Sequence, residues 1–412
     1  MIAPSAQSFF TVDNFDQIFI ILRDWLTHFL PAAWRPVANV LLGVVAIVCV
    51  FPGLFALTTV FERKGLGRIQ NRLGPNRVGP FGFFQPIADG IKSLTKEDIV
   101  PFSANAVVHF LAPLILVVVV FMGFAVLPMG RNVVLVDIDA GLLFFFAMGA
   151  STELSVFMAG WSSRNKYSLL GAMRAVAQMI SYEIVLLLSS VTVVMIAGSL
   201  RLTTIVEAQS HYGSALLPPS WSFVGWLPNW YVFTPWGFAA FVMFAIAAFA
   251  ETNRSPFDLP EGESELVAGY HTEYSGFKFA LFFLGEYLGM FSMSGLGATL
   301  FFGGWSAPLS ILNFVPSWIW FFGKVMMSIF VFIWMRGTLP RLRQDQLMNF
   351  AWKFVLPFTL LDLLVTAMWR FMGEGWLRWV VSTFILAGAY VLMGRVSMYR
   401  QHFAPRKYRY AD

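Results

Sequence analysis

The chain has 412 residues, 58% of them hydrophobic and 12% charged, with a formal net charge of +5 at pH 7. Soluble domains carry about 25% charged residues, so this composition excludes a water-soluble globule. The single cysteine, Cys49, lies in an apolar run and cannot by itself supply a disulfide, an iron–sulfur site or a thiolate zinc site. No GxGxxG or GxxxxGKS/T pattern is present, so no nucleotide site is expected.

Ahead of the first long apolar run, Phe15, Ile18, Phe19, Leu22, Trp25, Leu26 and Phe29 form a stripe of helical period, backed by Asp16, Gln17, Arg23, Asp24 and His28. This predicts an amphipathic helix lying along the membrane surface. No basic segment precedes it, which argues against a signal peptide. Crossing roughly 30 Å of hydrocarbon takes about 20 apolar residues. Stretches of that kind predict spans at 38–61, 106–129, 140–161, 175–200, 231–250, 279–302, 316–335, 350–369 and 376–394. The last is shortened by Arg378. The expected fold is all-α: a polytopic transmembrane bundle of about nine spanning helices with amphipathic surface helices. A second surface stripe, Phe84, Ile87, Ile91 and Leu94, runs opposite Asp89, Lys92, Lys96 and Glu97. No internal repeat is present, which weakens an inverted-repeat transporter reading.

Loops 62–105, 162–174, 251–278 and 336–353, with the tail after 394, carry 21 of the 28 Lys and Arg residues, against six on the opposite side. That excess predicts a cytoplasmic location for the first set, a periplasmic N-terminus and, with nine spans, a cytoplasmic C-terminus. The positive charge is a topology signal, not a sign of nucleic acid.

Glu251 ends its span at the cytoplasmic edge, and Glu153, Glu183 and Glu286 lie about 12–13 Å deep at 1.5 Å per residue. Lys324 and Asp362 fall near the midplane by the same rise, at roughly 17–18 Å. Two readings stay open on the residues alone: isolated hydrogen bonds between packed helices, or a polar path from the cytoplasmic surface toward the bilayer centre. In the third loop, Glu261, Glu263, Glu265 and Glu273 cluster on the side that should be positive, and Asp258 with Glu261 has capping-box spacing, predicting a helix start at Leu259 or Pro260. The basic series Arg63, Lys64, Arg68, Arg72 and Arg77 in the first loop reads equally well as solvated inside-positive charge.

The segments ERKGLGRIQNRLGPNRVGP, GWSSRNKYSLLGAMRAVAQMISYE, AETNRSPFDLPEGESELVAGYHTEYSG and RGTLPRLRQDQLMNFAWKFVLP resemble the signatures of the H subunit of bacterial NADH–quinone oxidoreductase, respiratory complex I, whose mitochondrial counterpart is NADH dehydrogenase subunit 1. The resemblance covers roughly residues 40–370. It implies a chamber that admits ubiquinone as substrate, with Arg63, Arg254, Phe257 and Asp258 at motif positions. It also implies a proton-conducting path through Glu153, Glu183, Glu251 and Glu286, with the Glu261, Glu263 and Glu265 cluster at motif positions, while Lys324 and Asp362 are assigned to a deeper polar path by their depth alone. Arg72, Arg77, Arg341, Arg343 and Asp345 would face partner subunits.

The resemblance further implies that the chain itself carries no redox centre, metal or covalent cofactor. FMN and the iron–sulfur clusters that take electrons from NADH would belong to partners. Hydrophilic quinone-site subunits, neighbouring membrane-arm subunits and lipid are the expected neighbours, in a bacterial inner membrane. Residues 1–37 and 371–412, with the ninth helix and basic tail, depart from the family pattern around a membrane domain at 38–370. The competing readings are a stand-alone secondary transporter or ion channel using the same acids, and the related subunit of a membrane-bound hydrogenase.

Overall fold

A computed structural model describes residues 15–212, 228–259, 267–373 and 375–400, the side chains of 396–400 excepted. The helices in chain order are α1 (Ile18–Thr27), α2 (Arg35–Ile69), α3 (Gln85–Thr95), α4 (Ala106–Ala125), α5 (Gly141–Ser162) and α6 (Lys166–Ala197). They continue with α7 (Leu202–Ser210), α8 (Pro235–Glu251), α9 (Gly276–Phe301), α10 (Ser317–Thr338), α11 (Gln344–Phe371) and α12 (Trp376–Arg400). Among the described residues there is no strand, only two isolated bridges.

Eight helices are long and apolar enough to cross a bilayer: α2, α4, α5, α6, α9, α10, α11 and α12. The span expected at 231–250 is the exception. The Thr234 hydroxyl accepts from Gly237 N at 3.1 Å and Pro235 fills the first turn, so helix begins only there. Its 17 residues reach about 26 Å at the helical rise, short of roughly 30 Å of hydrocarbon. Eight helices thus meet the length of a span; α8 is shorter and apolar, and it runs from the Gln209 end, where Gln209 Oε1 accepts from Tyr231 N at 3.4 Å, to Glu251 at the basic-loop end.

Several helices overrun the apolar segments that foreshadow them, α2 and α6 among them. α2 continues eight residues past residue 61, carrying Glu62 and Arg63 on its last turns. α6 starts at Lys166, where Asn165 caps it by accepting from Tyr167 N at 3.0 Å. Charged residues end a hydropathy window without ending a helix.

Helix α9 runs through the centre of the core and packs on α4, α8 and α10. α6 packs against α5, α8 and α11, and α12 covers α8 and α11. The end of the bundle away from the basic loops is tied by polar contacts to carbonyls at helix C-termini, which a helix leaves unpaired, and to those of the turn after α9. Lys324 Nζ donates to the carbonyls of Phe302, Gly304 and Ser306 at 2.7, 2.8 and 2.7 Å. Buried Gln209 donates to the Thr299 and Leu300 carbonyls and accepts from Gly303 N, each at 3.1 Å. Arg370 Nη1 donates to the Ile196 carbonyl at 2.9 Å. At the same end α1 lies with Phe19 edge-on to Trp318, while Ile18, Leu22, Trp25 and Leu26 stay exposed. α3 likewise leaves Ile87, Ile91 and Leu94 exposed, as expected of a surface helix.

Candidate functional site

The basic-loop end holds two polar assemblies. The first is built on Glu62, which turns inward from α2 while its neighbour Arg63, about 100° further round the helix, turns outward. Glu62 is buried and accepts from the Tyr287 hydroxyl of α9 at 2.6 Å. Arg336 of α10 ion-pairs with it, and Arg254 Nη1 stands 3.6 Å away. The Arg254 guanidinium lies 3.9 Å from the centre of the Tyr287 ring. Burial works against its charge, but Tyr287, Glu62 and Glu286 outweigh that and raise its pKa. Arg254 Nε and Nη2 are buried and have no partner among the described residues. Buried donors are nearly always satisfied, so these two have capacity for an acceptor from outside.

The second assembly is the set of carboxyls. Glu153 of α5 and Glu183 of α6 lie within electrostatic reach of each other. Glu251, fully buried at the end of α8, is within electrostatic reach of both. Glu251 and Glu286 line one cavity of about 60 Å³, with Thr152, Asn253 and Tyr270 in its wall. About 10–15 Å³ suffices for one water, so the cavity has room for a few. Glu286 accepts from the Tyr270 hydroxyl at 2.9 Å and stands 3.5 Å from His271 Nε2. The Tyr270–His271 turn is held against α6 by Gly171, where an added Cβ would stand 2.7 Å from Gly269 Cα. Four helices thus bring four carboxyls into a bent row. It ends at Glu153 and Glu183, which are half-buried on the flank of the bundle.

The family model for NADH dehydrogenase matches residues 42–367. The chain belongs to that family. The NADH-quinone oxidoreductase H subunit of Rhodospirillum rubrum is 45% identical over 334 residues, 81% of this chain and 94% of the relative. The H subunit of Polaromonas naphthalenivorans is 44% identical over 342 residues, 82% of this chain and 93% of its own. That of Dehalococcoides mccartyi is 49% identical over 306 residues, covering 74% and 80%.

In this NADH dehydrogenase family member the four motif residues singled out for the quinone chamber enter separate contacts. Arg254 joins the Glu62 network. Arg63 Nη1 bonds Asp89 of α3 at 2.6 Å on the exposed surface. Asp258 pairs with Arg341 at 2.5 Å. Phe257 packs on Tyr182 at 5.6 Å between ring centres, and its carbonyl accepts from Gln178, which also bonds the Ala250 carbonyl. Glu261, Glu263 and Glu265, with the expected helix start at Leu259 or Pro260, lie wholly or partly outside the described residues.

Lys324 and Asp362 stand apart from the glutamate row. Lys324 is occupied by its three carbonyls and lies 4.3 Å from the Trp230 ring. Asp362 is buried on α11, and neither carboxylate oxygen has a partner among the described residues. Of the loop residues assigned to partner contact, Arg72, Arg77, Arg341, Arg343 and Asp345 are all exposed. Glu62, Tyr287, Tyr270 and His271 were not singled out in the sequence. The sequence offered no apolar period that marks Glu62: it shares a face with buried Phe51 and Thr58, and that burial is seen only in the structure. Among the described residues no group of three or more His, Cys, Asp or Glu could hold a metal ion, and one cysteine in the whole chain does not fit an iron–sulfur cluster.

Proposed function

We propose that this chain is the membrane component of an inner-membrane NADH–quinone oxidoreductase that helps to bind ubiquinone at its basic-loop end and couples quinone reduction to proton translocation. The observation that carries this reading is the convergence of Glu153, Glu183, Glu251 and Glu286 from four helices, beneath a buried arginine with spare donors.

Reducing a quinone consumes two electrons and two protons. Arg254 Nε and Nη2 suit a quinone carbonyl, whose oxygen gains negative charge as electrons arrive. Arg63, Phe257 and Asp258 shape the chamber around it. Electrons come from NADH through the FMN and iron–sulfur clusters of hydrophilic partners. The protonation change passes to Glu286, across the shared cavity to Glu251, and on to Glu183 and Glu153. Carboxyls in such contact titrate as a coupled set, so protonating one alters its neighbours. The row reaches the bundle flank at Glu153 and Glu183, where a neighbouring membrane-arm subunit continues it. Glu261, Glu263 and Glu265 gather protons at the cytoplasmic entrance. Lys324 and Asp362 lie off the row, and the reading gives them no conducting role. The basic loops, with Arg72, Arg77, Arg341, Arg343 and Asp345, face the cytoplasm and the hydrophilic partners. Residues 1–37 and 371–412 flank the coupling domain at 38–370.

The test is Glu183→Gln in the assembled complex, reconstituted in vesicles. Normal assembly with reduced quinone reductase activity and reduced proton uptake is expected. Full pumping in a normally assembled variant overturns the path.

A further inference from the structure

At the end of the bundle away from the basic loops, a cleft of about 490 Å³ opens between α1, α2, the 132–135 segment and the start of α10. That volume lies within the roughly 300–1,000 Å³ of pockets that hold small molecules. Its wall is apolar but for Arg23 of α1, Asn39 of α2, Asn132 and the indole N–H of Trp318, which has no partner among the described residues. Nothing in the quinone or proton chemistry uses it.

We propose that this cleft is a binding site for one phosphatidylethanolamine molecule, with an acyl chain along α2 and the headgroup between Arg23 and Asn39. Three observations converge on that occupant. Along α2 the lining runs from Asn39 to Phe51, about 18 Å at the helical rise, close to the roughly 15 Å of one leaflet. The cleft is therefore as deep as one acyl layer, and it is closed at the bottom by Phe51 stacked on Phe124 at 3.8 Å. At its mouth stands a cation. Asp24 takes Arg23 Nε and Nη2 at 2.9 and 2.8 Å, which leaves the Nη1 donors for a phosphate oxygen. In the same wall, Asn39 Oδ1 is buried and has no partner among the described residues. An unpaired acceptor in the same cleft as a cation with donors to spare suits a ligand that carries a donor as well as a phosphate. An ethanolamine ammonium supplies three donors there, whereas a choline headgroup has none. A quinone carbonyl would leave Asn39 Oδ1 unpaired.

The experiment uses the assembled complex in vesicles of equal phosphatidylethanolamine and phosphatidylcholine. Benzoylphenylalanine replaces Leu42 in the cleft wall or, as a bulk-lipid control, Phe384, which is 79% exposed on α12. Photo-adducts are identified by mass. At position 42, lipid adducts should favour ethanolamine over choline about tenfold, a preference of about 1.4 kcal/mol; at position 384 they should follow the vesicle ratio. Asn39→Leu, which leaves Arg23 and its bridge intact, should return the ratio at 42 to that at 384, as should Arg23→Gln. Equal ratios at both positions, a ratio indifferent to Asn39→Leu, or an adduct at 42 to a protein segment or a quinone each overturns the assignment.

Discussion

Replacing Lys324 with methionine keeps the apolar stem and removes the ammonium that holds the carbonyls of Phe302, Gly304 and Ser306. Hydrogen bonds to a charged group contribute about 1.5–3 kcal/mol each, so three contribute roughly 4.5–9 kcal/mol gross. Burying an ammonium costs several kcal/mol of that, leaving a net of about 3 kcal/mol for docking of the 302–306 turn. At about 1.4 kcal/mol per tenfold, K324M should open this turn about a hundredfold more often. Hydrogen–deuterium exchange on the assembled complex reads that opening directly: peptides covering 300–316 should exchange about a hundredfold faster, while those from α6 are unchanged. Protons pumped per electron should stay at the wild-type value, because Lys324 is engaged by backbone away from the glutamate row. Unchanged exchange together with a lowered pumping ratio would refute the reasoning and return Lys324 to the conducting path.

Arg63→Ala and Asp258→Asn should each raise the quinone KM and lower quinone reductase turnover, with NADH oxidation by an artificial electron acceptor unaffected; unchanged quinone kinetics in both would count against the chamber. His271→Phe keeps the aromatic packing against Phe279, Phe282 and Phe283 but removes the nitrogen 3.5 Å from Glu286. It should slow proton uptake in vesicles severalfold with assembly intact, and equal uptake rates would remove His271 from the relay. Asp362→Leu replaces a buried carboxyl that has no partner among the described residues. Such exchanges are neutral or stabilising by about 1–4 kcal/mol, so the melting temperature of the complex should hold or rise and pumping should persist. A clear loss of pumping would mean that Asp362 conducts.

Spans were legible because hydrocarbon demands continuous apolar helix, and α4, α5 and α9 lie close to where hydropathy puts them. The places where helices overrun were less so. Counted from the hydropathy boundaries, Glu153 and Glu183 both lie eight residues in; counted from the helix ends they lie nine and 17 residues in. Their mutual contact follows the first count, since bilayer depth, not helix length, aligns them. Phase was harder to read than depth. Adjacent Glu62 and Arg63 enter unrelated contacts, one buried with Tyr287 and Arg336, the other exposed with Asp89. No apolar period singles out the buried one on a helix whose spanning window is only 11% buried. Lys324 shows a different limit. A lone cation in a span suggests a functional path, but its partners are carbonyls of a turn some twenty residues away, and backbone acceptors leave no mark in a sequence.

The ties opposite the basic loops bear on how this bundle can move. Lys324 grips the turn after α9, Gln209 grips α9's last carbonyls, and Arg370 grips the end of α6. These are the two helices that carry Glu286 and Glu183. Their other ends are anchored too: Lys278 of α9 pairs with Asp98 at 2.7 Å, and Asn165, which caps α6, donates to Glu273 at 2.6 Å. Glu286 lies ten residues from the start of α9 and fifteen from its clamped end at Phe301. It lies between two anchored ends, so on the proposed coupling its distance to Glu251 would change by movement of the Tyr270–His271 turn against it and not by a swing of the whole helix.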